Sequence, residues 1–528
     1  MEIIIIKYTS FDRGKETIQF YTKIVGHKFK IYNDLSFLDK NTNTTIISFE
    51  YVNILNDVCL NNNFQYLDIE SLKKQLEGRS KIEFKLKQRP WNVWVMIQKL
   101  NPEDFKMKKS EFEQSVNNAK AVFMGLNSKE TPVNKTYPFL LECIEKIYLN
   151  LKSELSTSNE KERYEKVESK MNNVLFEASR RGIRINIDIV KKHIENINIK
   201  LYETKNKLQL QYGIFSLNDY ENIKANLSKE NRYFEELKVN SKKFWKAIKL
   251  TREKSELIEL LYLERKYTTN KTILTRIGSL DKNYVNPLFE GLGTITGRII
   301  VNSPSLQQLH KDYRDVIIPE QDKELIYIDY CQFEAGILAH EADDEKLIQM
   351  YNTNDIYTEI SKKLGDTVVS RDLAKKLFFS YCYGMSKENI LAFSGHDLNI
   401  FFNEFASLEI YEKGVLENFL RDGYVDTILG NRRYKSLKNV ENIKENWIIS
   451  QRIQGVASLI LKDVILSVYN SGKDIEFLLP MHDAILYQIP KDKIEDYTKF
   501  IIERFEFELK KYFNKLTPKA SIKKFTDR

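Results

Sequence analysis

The sequence predicts a mixed α/β (α+β) protein of several domains, and three observations carry that prediction. At 528 residues the chain is too long for one ordinary core, so about two to four domains are expected. Short strand patterns occupy the first 155 residues and return after residue 280. Between them lies a stretch dense in Lys and Glu whose apolar spacing is almost wholly helical. Composition agrees with a globular chain, at 42% hydrophobic and 30% charged residues. The net charge of +8 permits a polyanionic partner without demanding one. Cys59, Cys143, Cys331 and Cys382 are far apart and form no C-x-x-C, which points to a reducing compartment and no structural zinc. The six histidines show no ligand spacing. No run approaches the ~20 apolar residues of a membrane span, so a cytoplasmic protein with no membrane partner is expected.

In residues 1–155, Ile3–Ile6, Lys28–Ile31 and Thr45–Phe49 read as strands and Leu141–Leu155 as a helix. Asp68-Ile69-Glu70 has the D-x-E form of a proofreading exonuclease, in which paired carboxylates hold a metal ion. The downstream acidic residues such a site needs are missing: Tyr137-Pro-Phe-Leu-Leu141-Glu142 has no Asp at the required offset. A degenerate, inactive domain is the expectation. Ser156–Glu160 is polar and reads as a linker. Residues 156–280 contain a helix stopped by Gly182 and long amphipathic helices over Ile189–Leu210 and Leu250–Lys266. Lys on their exposed faces could grip phosphates or be simply solvated.

From residue 281 the texture changes. Gly291-Leu-Gly293-Thr294-Ile-Thr296-Gly297-Arg298 and Asn302-Ser303-Pro304-Ser305-Leu306-Gln307-Gln308-Leu309 read as loops, without the G-x-x-x-x-G-K-[ST] of a P-loop. Leu325–Asp329 alternates as a strand and runs into a helix. Arg371, Lys375, Phe379 and Tyr383 are spaced by four, which places them in one stripe on a helix. Two cations followed by two aromatics can hold a triphosphate and stack on a base. Leu478–Ile489 reads as two strands joined by a tight turn, with His482-Asp483 at its tip. If the strands of Asp329 and Asp483 are neighbours, their carboxylates can bridge two Mg2+ ions about 3.5–4 Å apart.

These segments, in this order, resemble the polymerase region of family A DNA polymerases, the Klenow-type enzymes of bacteria and phages. Asp329-Tyr330-Cys331-Gln332-Phe333-Glu334 is similar to the D-Y-S-Q-I-E of motif A. Arg371-x3-Lys375-x3-Phe379-x3-Tyr383-Gly384 resembles motif B, and Met481-His482-Asp483 the core of motif C. Thr296-Gly297-Arg298 with Ser303–Gln308, Gly423–Tyr434 and Gln454-Gly455-Val-Ala457 look like three further family segments. The resemblance is continuous over about 280–528 and weaker over 165–280.

The resemblance implies a right-hand polymerase fold: residues 1–155 exonuclease-like and inactive, 156–280 a helical thumb, 281–340 and 436–528 the palm, 341–435 the fingers. It implies template-directed addition of dNTPs to a primer 3′-hydroxyl with pyrophosphate release. Asp329 and Asp483 would hold two Mg2+ ions, with Mn2+ able to substitute. Arg371 and Lys375 would bind the triphosphate, and Lys375 would protonate the leaving pyrophosphate. Phe379, Tyr383 and Gln332 would line the nucleotide, and Glu334 would exclude a 2′-hydroxyl. Arg298, Gln454 and His482 would contact the minor groove of primer–template DNA, whose acceptors are shared by correct pairs. Further implied partners are the dNTPs and a processivity or replisome factor. The chain departs from the family at Ala484 (usually Glu), Tyr357 (often His), Ser380 (Gly) and Asn446 (Arg). A single-subunit RNA polymerase and a degenerate primer–template-binding factor are the alternatives. Glu334 argues against the first, and the retained Asp pair and cations against the second.

Overall fold

The computed structural model describes residues 1–526 apart from 13–14, 41–42, 50, 59–63, 79–88, 126–132, 281, 366–368, 383–384 and 435–446. Tyr383, Gly384, Asn446 and Cys59 therefore lie outside the described residues.

The first unit is a five-stranded sheet of β1 (Glu2–Asp12), β2 (Lys15–Ile24), β3 (Phe29–Tyr32), β4 (Thr44–Ser48) and β5 (Phe64–Asp68). Its order is β3-β2-β1-β4-β5, with β1 antiparallel to β2 and parallel to β4. The run Ile3–Ile6 is buried on both faces, because Ile4 and Ile6 join one apolar cluster and Ile3 and Ile5 another. The predicted helix is the C-terminal part of Val133–Thr157. β2 and β5 went unpredicted: their apolar residues are diluted by Lys, Glu, Gln and Thr, so the strand period is faint.

The expected linker is not simply solvated. Glu160 is 3% exposed, and its carboxylate accepts the backbone N–H groups of Asn431 (2.8 Å) and Arg432 (2.9 Å) and the Gln75 amide. It thus clamps the first unit to a hairpin near residue 430. The helix read at Leu250–Lys266 is also corrected. One helix ends at Thr251, and the next runs Glu256–Gly278, capped by the Ser255 hydroxyl on Ile258 N–H (3.2 Å). Gly182 does stop a helix, with φ +77°, as expected. Within the helical stretch, Leu208–Leu261 encloses a core of its own.

Short pairs follow: β6 (Ile183–Arg184) with β7 (Tyr284–Val285), and β8 (Leu288–Glu290) with β9 (Ile300–Asn302). Then come β10 (Lys323–Tyr330), the hairpin β11 (Tyr424–Thr427) and β12 (Gly430–Tyr434), and β13 (Glu476–Met481), β14 (Ala484–Pro490) and β15 (Ala520–Lys523). The second sheet is antiparallel, in the order β13-β14-β10-β15. Its floor is the helix Trp447–Tyr469, buried along most of its length. Sheet and helix share the largest apolar core, which also takes in the helices between residues 333 and 382.

Candidate active site

The carboxylate strand pair is assembled as the sequence suggested. β10 and β14 are hydrogen-bonded neighbours, with Asp329 opposite Ala484. Beyond that pair, Tyr330 N–H donates to the Asp483 carbonyl at 3.2 Å. Asp329, next to last in its strand, thus lies beside the turn that carries Asp483. The turn is two residues long, His482 and Asp483, and His482 has φ +52°. A left-handed histidine is uncommon, and the strained turn is held by two buried strands. His482 itself is exposed and Asp483 half-buried. Ala484 is 1% exposed and packs in the core.

Arg298 reaches this turn from the Gly/Thr loop. Gly297, at φ +81°, lets the loop reverse, and a Cβ there would lie 3.2 Å from the Asn431 amide. Gln307 then pins the loop to β13. Its amide donates to Ile299 O (3.1 Å) and Pro480 O (2.7 Å) and accepts from Val301 N (3.0 Å). Ser458, on the floor helix, donates to Gly297 O at 2.7 Å. So held, the Arg298 guanidinium makes a charge-assisted hydrogen bond to Glu334 and lies 4.0 Å from the Asp483 carboxylate. Glu334 is fully buried in the first turn of the helix Phe333–Glu341. The sequence assigned Arg298 and Glu334 to separate tasks; the structure joins them. Arg298 and His482 also line a cavity of about 420 Å³ with Lys249 and Lys311; Arg314 and Lys462 line it too, but both are buried, Arg314 donating to the Leu309 and Phe525 carbonyls and Lys462 paired with Glu168. Gln454 is half-buried on the floor helix, one turn before Ser458.

The cation stripe is on a helix, Arg371–Cys382, as the fourfold spacing required. Arg371 and Lys375 lie over the ring of Tyr357, at 5.4 and 5.7 Å, and Lys375 is 5.8 Å from the Phe379 ring. Tyr357 is 1% exposed, so in place of a phosphate-contacting His this chain has a buried aromatic floor under its cations. Gln332, at φ +54°, binds backbone on both sides of Asp355 and so ties the β10 end to this region. Sequence reading gave Gln307 no role, since it acts through backbone contacts that leave no spacing signal, and noted Tyr357 only as a departure from the family.

Asp329 and Asp483 are hard oxygen donors, and no group of three or more metal-ligating side chains gathers among the described residues. That donor set fits Mg2+, which is commonly held by one or two carboxylates together with substrate phosphates.

The D-x-E of the first unit is used differently. Asp68 ends edge strand β5 and caps the following helix, accepting Ser71 N–H at 2.7 Å. Glu70 accepts Val93 N–H (2.7 Å) and the Asn92 amide (3.3 Å). Both carboxylates bind backbone N–H groups at helix starts. Burial pushes the Asp68 carboxyl up to about 7, partly offset by the Ser71 N–H and Lys74. A folded-state value above the ordinary carboxylate range of about 3.9 means stability falls as pH rises from about 4 through 7. Asp68→Asn keeps a good cap. It is therefore expected to melt close to the parent at pH 4–5 and above it at pH 8, with no change in Mg2+-dependent 3′ degradation. Equal melting shifts at both pH values, or a nuclease activity lost with Asp68, would contradict this reading.

Residues 176–517 match the model of DNA polymerase family A. DNA polymerase I of Caldicellulosiruptor bescii is 26% identical over 385 residues, covering 65% of this chain and 44% of the relative. DNA polymerase I of Bacillus subtilis is 24% identical over 410 residues (70% and 46%), and that of Borreliella burgdorferi 28% over 375 (63% and 41%). The chain thus spans less than half the length of these relatives. The solved POL domain of Pol1 from M. smegmatis, in complex with DNA primer–template and dNTP, is similar with a TM-score of 0.71 and 16% identity. That likeness covers 98% of this chain and 94% of the other, and it shows the polymerase fold.

Proposed function

The chain belongs to DNA polymerase family A, and from that premise we propose that it extends a primer 3′-hydroxyl with dNTPs on a DNA template, releasing pyrophosphate. The observation that carries the reading is the β10–β14 ladder, which sets Asp329 opposite Ala484 and so beside the turn that carries Asp483. Asp329 and Asp483 would hold two Mg2+ ions. Bound Mg2+ supplies activation of the attacking hydroxyl and charge stabilisation at the leaving oxygen. The chain's own residues do the rest. Arg371 and Lys375 bind the triphosphate, with Lys375 placed to donate a proton to pyrophosphate as it leaves. Phe379 and Gln332 shape the nucleotide pocket, which Tyr383 completes on the same sequence stripe. Glu334 closes the space at the sugar 2′ position. Arg298, His482 and Gln454 read the minor groove of the primer–template. The buried Ala484 removes a carboxylate that the two-aspartate scheme does not require. Residues 1–155 form an inactive exonuclease-like domain, 156–280 the thumb, 341–435 the fingers, and 281–340 with 436–528 the palm.

The test is extension of a primed template with dNTPs against rNTPs in Mg2+. Templated dNTP incorporation is expected, with rNTPs strongly rejected. Glu334→Ala should narrow that discrimination by roughly 10²-fold, the scale at which a pocket tells apart substrates differing by one hydroxyl. Preferential rNTP use by the parent would favour the RNA polymerase alternative. Primer–template binding without incorporation would favour the accessory factor.

A further inference from the structure

Arg371 is already occupied by a carboxylate. Its Nε donates to Asp355 Oδ1 at 3.0 Å and its Nη2 to Oδ2 at 2.6 Å. This two-pronged geometry is also the one in which a guanidinium takes a phosphate. Asp355 is not a casual surface partner. Its Oδ1 accepts Thr358 N–H (2.8 Å) and the Thr358 hydroxyl (3.0 Å), capping the helix Ile356–Lys363. The backbone on either side is gripped by Gln332: Ile356 N–H donates to Gln332 Oε1 at 2.7 Å, and Gln332 Nε2 donates to Asn354 O at 3.3 Å. Three residues after Asp329, the chain thus fixes the carboxylate that holds the first cation of the stripe. Burial raises the Asp355 carboxyl, but the Arg371 and Thr358 hydrogen bonds outweigh it and hold the group below the ordinary range.

We propose that Asp355 stands in for the nucleotide triphosphate, closing the Arg371 fork when no nucleotide is bound, so that an incoming triphosphate must displace it. Asp355 thereby weakens anion binding at Arg371 while keeping its side chain extended over Tyr357. The inference rests on the reading of Arg371 as a triphosphate ligand. It adds a residue outside the machinery described above, one that sets nucleotide affinity by competition.

The test is calorimetric titration of inorganic tripolyphosphate into the DNA-free full chain, without Mg2+. Asp355→Asn and Asp355→Ser both retain a helix-capping side chain and remove the charge. Each is expected to tighten tripolyphosphate binding about three- to fivefold, the size of a solvent-screened ion pair. The gain should vanish in the Arg371→Ala background. Unchanged or weaker binding in both variants, or tightening that persists without Arg371, overturns the proposal. Primer extension by the parent is run in parallel. Its failure would strike the polymerase reading alone, whereas normal extension with no tightening strikes this inference alone.

Discussion

Arg298→Ala is expected to lower the thermal midpoint sharply and to abolish efficient primer extension. The substitution leaves the Glu334 carboxylate, which is fully buried, without its guanidinium. Removing one partner of a buried ion pair costs about 3–5 kcal/mol, because the remaining charge is poorly solvated. Arg298 keeps 22% of its side-chain exposure, which places the cost toward the low end of that range. Glu334→Gln in the same background removes the stranded charge. The double variant should therefore recover most of the thermal midpoint while remaining defective in extension, because Arg298 is still missing from the Asp483 turn. A single variant that melts like the parent at pH 8 would show that the pair does not hold this loop in place.

How far the sequence foretold the structure depends on the kind of signal. β10, the Arg371–Cys382 helix and the His482–Asp483 turn each carry a clean period or turn marker, and each formed where expected. The adjacency of Asp329 and Asp483 could only be posed as a condition, since 154 residues of chain carry no register. The β10–β14 ladder supplies it. β2 and β5 were missed because polar residues interrupt their apolar alternation. Asp68-Ile69-Glu70 was ambiguous for a related reason: a D-x-E looks the same in sequence whether it serves a metal or helix N-termini, and the Ser71 and Val93 N–H contacts become visible only in the structure. Glu160 looked like linker because its partners, Asn431 and Arg432, are over 270 residues away. The Arg298–Glu334 and Arg371–Asp355 pairs were likewise invisible, since an ion pair between distant segments leaves no spacing to read.

Asp329 and Asp483 are proposed to act together as the carboxylate pair of a polymerase. Asp→Asn preserves shape and hydrogen-bonding capacity but removes the charge that would hold Mg2+. Neither substitution opens a cavity, and the Tyr330–Asp483 bond is made by backbone, so the turn should persist. Most of the affinity for primer–template should persist as well, because neither substitution touches basic residues such as Lys249 and Lys311, which line the cavity beside Arg298 and can be tested as phosphate contacts. The most direct measurement is single-turnover addition of one templated dNTP in Mg2+ by the parent, Asp329→Asn and Asp483→Asn, with primer–template affinity measured on the same preparations. The predicted result is templated addition by the parent and a fall on the order of 10³-fold or more in each variant, with DNA affinity nearly unchanged. Addition at the parental rate by either variant would contradict the account.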